Sequence, residues 1–127
     1  MAIEVEKMYQ DYGAAWASND LDKILSFYTD DCVYEDLPSD TVCRNKDELK
    51  RFFETTLATI PDITFELISF FSSGNMLCSE YFIKGTVGGG GDGTSDSDIK
   101  LSTRTASIYE LKEGKFSRVR NYYNSSF

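Results

Sequence analysis

The chain has no histidine, two prolines, three cysteines and little positive charge. Each shortage excludes something. Without histidine no side chain has an ordinary pKa near neutrality, and Ser-His-Asp, Cys-His and His-based zinc machinery are excluded. Cys32, Cys43 and Cys78 form no C-x-x-C pair. An odd count without an export signal reads as reduced thiols, small buried hydrophobes in a reducing compartment. No apolar run approaches the roughly 18 residues of a membrane helix. Met1 to Tyr12 alternates charged and apolar residues, unlike a signal peptide, so a cytoplasmic protein is expected. Thirteen Lys and Arg against 21 Asp and Glu give a net charge of -8, which argues against a nucleic-acid groove. Acid-base chemistry must therefore come from carboxylates, tyrosines, lysines or thiols.

What is present is a core. The 127 residues, 41% hydrophobic and 14% aromatic, suffice for a single domain over 1–127 that buries roughly two-thirds of its unfolded surface. The first half is helical in period. Val5, Met8, Tyr9, Tyr12, Ala15 and Trp16 form one apolar stripe. Asn19 and Asp20 are caps for a second helix carrying Leu21, Ile24, Leu25 and Tyr28. A short extended piece runs from Cys32 to Asp36 into Leu37-Pro38. Asn45-Lys46-Asp47-Glu48 is a capping box for a third helix, with Leu49, Phe52, Phe53 and Leu57 inward, and Pro61 ends it.

The second half switches to period two and to β-branched and aromatic residues. Strands are expected at Ile63 to Phe71, Met76 to Val87, Ile99 to Leu111 and Lys115 to Asn124, with hairpin turns at Ser73-Gly74-Asn75 and Glu113-Gly114. The glycine-rich segment 88–98 lacks the Lys-Ser/Thr end of a phosphate loop, and its aspartates would repel phosphate, so it reads as a solvated hairpin loop. It also lacks EF-hand spacing. Helices followed by long antiparallel strands imply an α+β domain, three N-terminal helices on a curved, mainly antiparallel sheet. Glu80, Phe82 and Lys84 share one face of their strand, opposite Tyr81, Ile83 and Val87. Val119, Asn121 and Tyr123 oppose Arg118, Arg120 and Tyr122. Large apolar side chains thus occupy both sheet faces while the helices cover one, and a homodimer is expected.

Ala14-Ala15-Trp16 with Asn19-Asp20-Leu21-Asp22, then Tyr28-Thr29-Asp30-Asp31-Cys32-Val33-Tyr34-Glu35-Asp36, resembles the nuclear-transport-factor-2-like superfamily. Its members include ketosteroid isomerases, limonene epoxide hydrolases and SnoaL-like polyketide cyclases. The ending, Glu110-Leu111-Lys112-Glu113-Gly114-Lys115-Phe116 through Arg120-Asn121-Tyr122-Tyr123-Asn124, is similar to the last hairpin of the SnoaL-like group. The resemblance implies a cone-shaped α+β barrel with a deep pocket between helices and sheet. This fold hosts many activities, so it says less about the reaction.

Against ketosteroid isomerase, Tyr34-Glu35-Asp36-Leu37-Pro38 is similar to the motif carrying the proton-shuttling aspartate, which puts Asp36 at the base position. The first-helix tyrosine that donates to the enolate oxygen falls on Tyr12. The protonated third carboxyl falls near Ser107, a shorter and weaker donor. In epoxide hydrolases of the fold an arginine and two aspartates act, and here Glu80, Phe82 and Asn121 stand in those places. Asn121 likewise replaces the last-strand acid of the SnoaL-like cyclases, and the histidines of the fold's dehydratases are absent.

The residues carry their own arguments. A carboxylate at Asp36 among Tyr34, Phe82 and Tyr123 would be desolvated and a stronger base, or else would cap the following turn. Tyr12 lies on the apolar stripe with Trp16, where a tyrosine is as readily core. Glu80 would share the pocket with Asp36 as an acid beside a base, or pair with Lys84 at its mouth. Asn121 and Tyr123 would contact a ligand oxygen and ring, while Arg118 and Arg120 lie outside. The expectation is an isomerase-like proton transfer on a small, apolar, carbonyl-bearing ligand. Asp36 and Tyr12 would be catalytic, and Trp16, Tyr34, Glu80, Phe82, Ser107, Asn121 and Tyr123 would bind substrate, without metal or cofactor. The alternatives are a polyketide cyclase or dehydratase in the same pocket, and a dimeric ligand-binding domain without catalysis.

Overall fold

A computed structural model describes residues 2–87 and 99–124, with side chains from residue 5 onward. Helix α1 spans Ala2–Ala17 and α2 spans Leu21–Leu25. Strand β1, Tyr28–Asp36, leads through a 3₁₀ turn, Leu37–Ser39, into the short β2, Thr41–Cys43. Helix α3 is Lys46–Thr59, and β3 to β6 are Thr64–Ser73, Met76–Val87, Ile99–Lys112 and Lys115–Tyr123. The six strands form one curved, unclosed sheet in the order β2-β1-β6-β5-β4-β3. All neighbours are antiparallel except β1 and β6, which run parallel. The α+β architecture is the expected one, three helices laid on one face of a sheet. Among the described residues no helix is long and apolar enough to cross a membrane.

Local chemistry sets the element ends. Asp20 Oδ1 accepts from the Lys23 amide and caps α2, but Asn19 does not share that role. Asn19 takes the left-handed conformation, φ 57°, at the junction after α1 and donates its side-chain amide to the Pro61 carbonyl. The α3 capping box is formed: Asn45 Oδ1 accepts from the Glu48 amide, and Glu48 reaches back to the Arg44 amide. Tyr28 belongs to β1, not to the second helix, because α2 stops at Ser26 and Tyr28 pairs in register with Phe116. At Glu113 and Gly114 both φ angles are positive, the conformation a two-residue hairpin requires. At Gly85 a Cβ would collide with Ile60, so the missing side chain lets the end of α3 close onto β4. Asp62 then accepts from the Thr86 amide and hydroxyl, which holds its carboxyl below the usual range.

The core lies between helices and sheet and is built of rings. Tyr12 packs on Phe116 and Trp16 on Phe53, with centroids 4.9 and 4.8 Å apart and near-perpendicular planes. Such pairs contribute about 0.5–1.5 kcal/mol each beyond their buried area. The segment 88–98, expected to be a hairpin loop, lies outside the described residues.

Candidate functional site

Between the sheet, α1 and α3 lies a pocket of about 200 Å³. Its walls are mainly apolar and aromatic, with Trp16, Phe52, Phe53, Phe65 and Ile63 prominent. Polar groups enter from the sheet, and the strand register says why. Asp36 on β1 pairs with Asn121 on β6, Asn121 with Ser107 on β5, and Ser107 with Ser79 on β4. These four residues form one line across the inner face, and each is at most 6% exposed. Buried polar groups are costly unless bonded. Here Tyr34, Tyr81 and Tyr123 on neighbouring strands, with Tyr9 of α1 and Ser39, supply partners.

The Tyr123 hydroxyl donates to Asp36 Oδ2 at 2.6 Å, and Ser39 Oγ donates to the same oxygen. Asn121 Nδ2 donates to the Tyr34 hydroxyl at 2.6 Å, and Ser107 Oγ donates to Asn121 Oδ1 at 2.6 Å. Tyr81 bonds Ser107 at 2.8 Å, and Tyr9 bonds Ser79 at 2.6 Å and Tyr109 at 3.1 Å. Burial first, then the neighbouring phenols Tyr12 and Tyr81 and the Asp36 carboxylate, push the Tyr34 hydroxyl well above its ordinary value. Tyr123 is likewise raised, by burial and by its bond to Asp36. Both stay protonated donors at neutral pH.

Asp36 is the carboxylate of the pocket. It precedes the 3₁₀ turn but its side chain makes no capping bond to it. The relation is reversed, since Ser39 of that turn donates back to the carboxylate. Among the described residues no lysine or arginine pairs with Asp36, and its Oδ1 accepts no hydrogen bond. Tyr34, two residues earlier, lies on the same strand face about 6.6 Å along the chain and also lines the pocket.

The structure gathers Asp36, Tyr34, Asn121, Tyr123 and Trp16 at this pocket. Tyr12 lies deeper. Its hydroxyl bonds that of Tyr28, and burial raises it to about 12, eased by the hydroxyl of Tyr28 and the indole of Trp16. It borders a second void of about 20 Å³ whose walls share Trp16, Tyr34, Phe65, Tyr81 and Asn121 with the pocket. Trp16 Nε1 is buried without a partner of hydrogen-bond geometry. Ser107 is fully buried in the polar line behind the pocket wall, bonded to Tyr81 and Asn121.

Glu80 and Phe82 are elsewhere. In β4 the inward residues are Ser79, Tyr81 and Ile83, so both side chains stand on the outer face. Glu80 accepts from Arg104 Nε at 2.8 Å and from Ser69 at 3.2 Å, and these bonds hold its carboxyl below the usual range. Phe82 lies under the Lys84 and Arg104 cations. Among the described residues no second carboxylate therefore lines the pocket with Asp36, and Lys84 pairs with Glu66 instead of Glu80. The placement of Arg118 and Arg120 on the outer face holds, where they pair with Glu35 and Glu110.

Several site residues escaped the sequence reading. Tyr81 and Thr105 follow from parity once the β4–β5 register is known, but the glycine-rich connection hides that register. Ser39 carries no signal at all, because only the 3₁₀ turn brings it back to Asp36. Among the described residues no group of three or more His, Cys, Asp or Glu is placed to hold a metal ion.

Solved structures share this architecture. A protein of ketosteroid isomerase-like fold from Catenulispora acidiphila, crystallised with trimethylamine, superposes with a TM-score of 0.79 at 13% identity, over 94% of this chain and 86% of that one. A candidate SnoaL-like polyketide cyclase from Shewanella denitrificans gives 0.80 at 13% identity, over 94% and 90%. A SnoaL-like protein of unknown function from Burkholderia thailandensis gives 0.76 at 17%, over 97% of each chain. At these identities the likeness establishes the fold alone. No curated protein matches the sequence. The sequence profile of the SnoaL-like domain does match, over residues 5–119, and with the three-helix, six-stranded fold beneath it the chain belongs to the SnoaL-like domain family.

Proposed function

We propose that the chain is an enzyme transferring a proton within a small, mostly apolar carbonyl compound, with Asp36 as the base. The observation that carries this reading is the state of Asp36. It is 4% exposed, faces an aromatic pocket that holds no cation among the described residues, and takes its two side-chain hydrogen bonds from those residues on Oδ2. A carboxylate so held is poorly solvated and directional, as a general base must be. Asp36 takes a proton from the carbon beside the carbonyl, and the electron pair of that C–H bond moves toward the carbonyl oxygen as an enolate forms. The same carboxyl then returns the proton at another carbon, so nothing is consumed and no cofactor enters the step.

Pocket size narrows the ligand. A cavity of roughly 150 Å³ takes benzene, so about 200 Å³ encloses one substituted ring. Larger steroid or polyketide skeletons would have to project from the mouth. Cyclisation or dehydration of a polyketide-like ketone is the neighbouring chemistry for the same base. A second reading is a ligand-binding domain without turnover, homodimeric through the outer sheet face. It is favoured by Ser107 spending its hydroxyl hydrogen, and Asn121 one of its two amide hydrogens, on protein partners. Aromatic walls around one carboxylate also suit a small alkylammonium ion, and the Catenulispora relative holds trimethylamine.

The test is deuterium incorporation from solvent, followed by NMR, across small enones, steroids and polyketide-like ketones. Wild type and Asp36→Asn are run together. Exchange that depends on Asp36 is the expected result. Binding without exchange anywhere in the panel moves the assignment to the binding domain.

A further inference from the structure

The hydrogen bonds of the polar line have a direction, and that direction leaves the Tyr34 hydroxyl proton without an acceptor among the described residues. Ser107 has a single hydroxyl hydrogen, and it goes to Asn121 Oδ1. In the bond between Tyr81 and Ser107, Tyr81 must then be the donor. Asn121 has its oxygen occupied by Ser107 and turns Nδ2 to Tyr34, whose oxygen accepts. The chain therefore runs Tyr81 to Ser107 to Asn121 to Tyr34, every link donating the same way. Tyr34 ends it as an acceptor, and its own O–H has no acceptor among the described residues.

Two further facts place that O–H. Tyr34 is 8% exposed and lines both the pocket and the smaller void beneath it. The void, about 20 Å³, is the size of one oxygen atom with its contacts. Tyr34 also shares its strand face with Asp36, so a ligand whose reacting carbon meets the carboxylate has its oxygen within reach of the phenol. Successive donors in one direction polarise the last O–H and make it a stronger donor.

We propose that Tyr34 is the residue that binds the ligand's carbonyl oxygen, its hydroxyl oriented and polarised by the Tyr81–Ser107–Asn121 chain, with Tyr12 beneath it in a structural pair with Tyr28. The proposal rests on the reading of Asp36 as a base acting beside a carbonyl. Asp36 draws the proton from carbon while Tyr34 stabilises the charge that develops on oxygen, keeping its own proton throughout. Removing one such donor typically costs about a hundredfold or more in rate. Ser107, fully buried behind the pocket wall, is a positioning residue that acts on the ligand only through Asn121 and Tyr34.

The probe is 2-cyclohexenone labelled with ¹³C at the carbonyl, small enough for the pocket, observed by isotope-edited infrared spectroscopy. The expected result is a bound C=O stretch at lower frequency than in hexane. In Tyr34→Phe that displacement disappears while binding weakens by less than about tenfold, a neutral hydrogen bond's worth. In Ser107→Ala it shrinks, and in Asp36→Asn it persists although deuterium exchange is lost. This last pairing separates the two claims, because the carbonyl signal does not depend on Asp36 being a base. An undisplaced carbonyl in wild type overturns the proposal whatever the variants do. So does a displacement that survives Tyr34→Phe, or one abolished by Tyr81→Phe alone, which would mean the chain runs the other way. Absence of saturable binding by the probe overturns it as well.

Discussion

The two faces of the sheet solve the same problem differently. Asp36 and Glu80 are both strand carboxylates, each bonded by a serine hydroxyl and one other donor. On the outer face the other donor is Arg104, whose charge keeps Glu80 ionised and spent in an ion pair open to solvent. On the inner face it is Tyr123, a neutral phenol. A neutral donor fixes the carboxylate without cancelling its charge, which leaves it free to act on something else. The difference lies less in the carboxylates than in what is allowed near them. The outer face carries the arginines and lysines, whereas the inner face carries hydroxyls and rings.

The comparison breaks most sharply at Asp36. Asp36→Asn keeps an oxygen for Tyr123 and Ser39 to bond, so the fold should survive while proton transfer falls by about a hundredfold to ten-thousandfold. Deuterium exchange measures the loss and circular dichroism the retained fold. Exchange at the wild-type rate would show that the inner carboxylate is no more reactive than the outer one.

Next in size is the line that connects the inner hydroxyls. Ser107→Ala strips Tyr81 and Asn121 of a partner where no water reaches, an expected cost of about 1–3 kcal/mol read from urea unfolding. A midpoint unchanged from wild type would mean that a water replaces the hydroxyl and that the line is looser than its distances suggest.

Alkali should then act on the inner face first. Tyr12, Tyr28, Tyr34, Tyr81 and Tyr109 are all raised above the ordinary tyrosine value by burial. A group whose folded pKa is raised contributes stability that is whole below the unfolded value, about 10, and lost as pH climbs through the folded one. For Tyr12 that folded value is about 12. Phenolate absorbance should accordingly rise together with the loss of folded signal above about pH 10. Ionisation of all eight tyrosines in a chain that keeps its fold would contradict their burial.

The smallest effect belongs to the outer face. Glu80→Gln removes a solvent-exposed ion pair with Arg104, and exposed pairs of this kind contribute little. Turnover and melting temperature should both stay at their wild-type values. A loss of exchange in this variant would place Glu80 in the chemistry despite its orientation.

Much of the architecture is written in local pattern. The capping box at Asn45 to Glu48, the Glu113-Gly114 turn and the period-two second half each specify an element from neighbours in sequence. Tyr34 and Asp36, two apart, had to share a face, as had Asn121 and Tyr123. The faces chosen for Glu80 and Phe82 needed more. Which parity of β4 turns inward depends on its register with β5 across residues 88–98, and a shift of one residue exchanges the faces. Tyr28 was misplaced for a related reason, since its helical spacing from Ile24 and Leu25 is overridden by pairing with Phe116, 88 positions away.

Composition alone determined that any acid-base chemistry runs without histidine, and periodicity determined helices followed by a sheet with two unlike faces. Tertiary structure decided the rest. Only the parallel seating of β6 beside β1 brings Asp36 opposite Asn121 and lets Tyr123 reach the carboxylate. Only the full register across four strands aligns Asp36, Asn121, Ser107 and Ser79 into one polar line. Each of these contacts joins residues with tens of positions or a whole hairpin between them, and such contacts exist only once the sheet has assembled against its core.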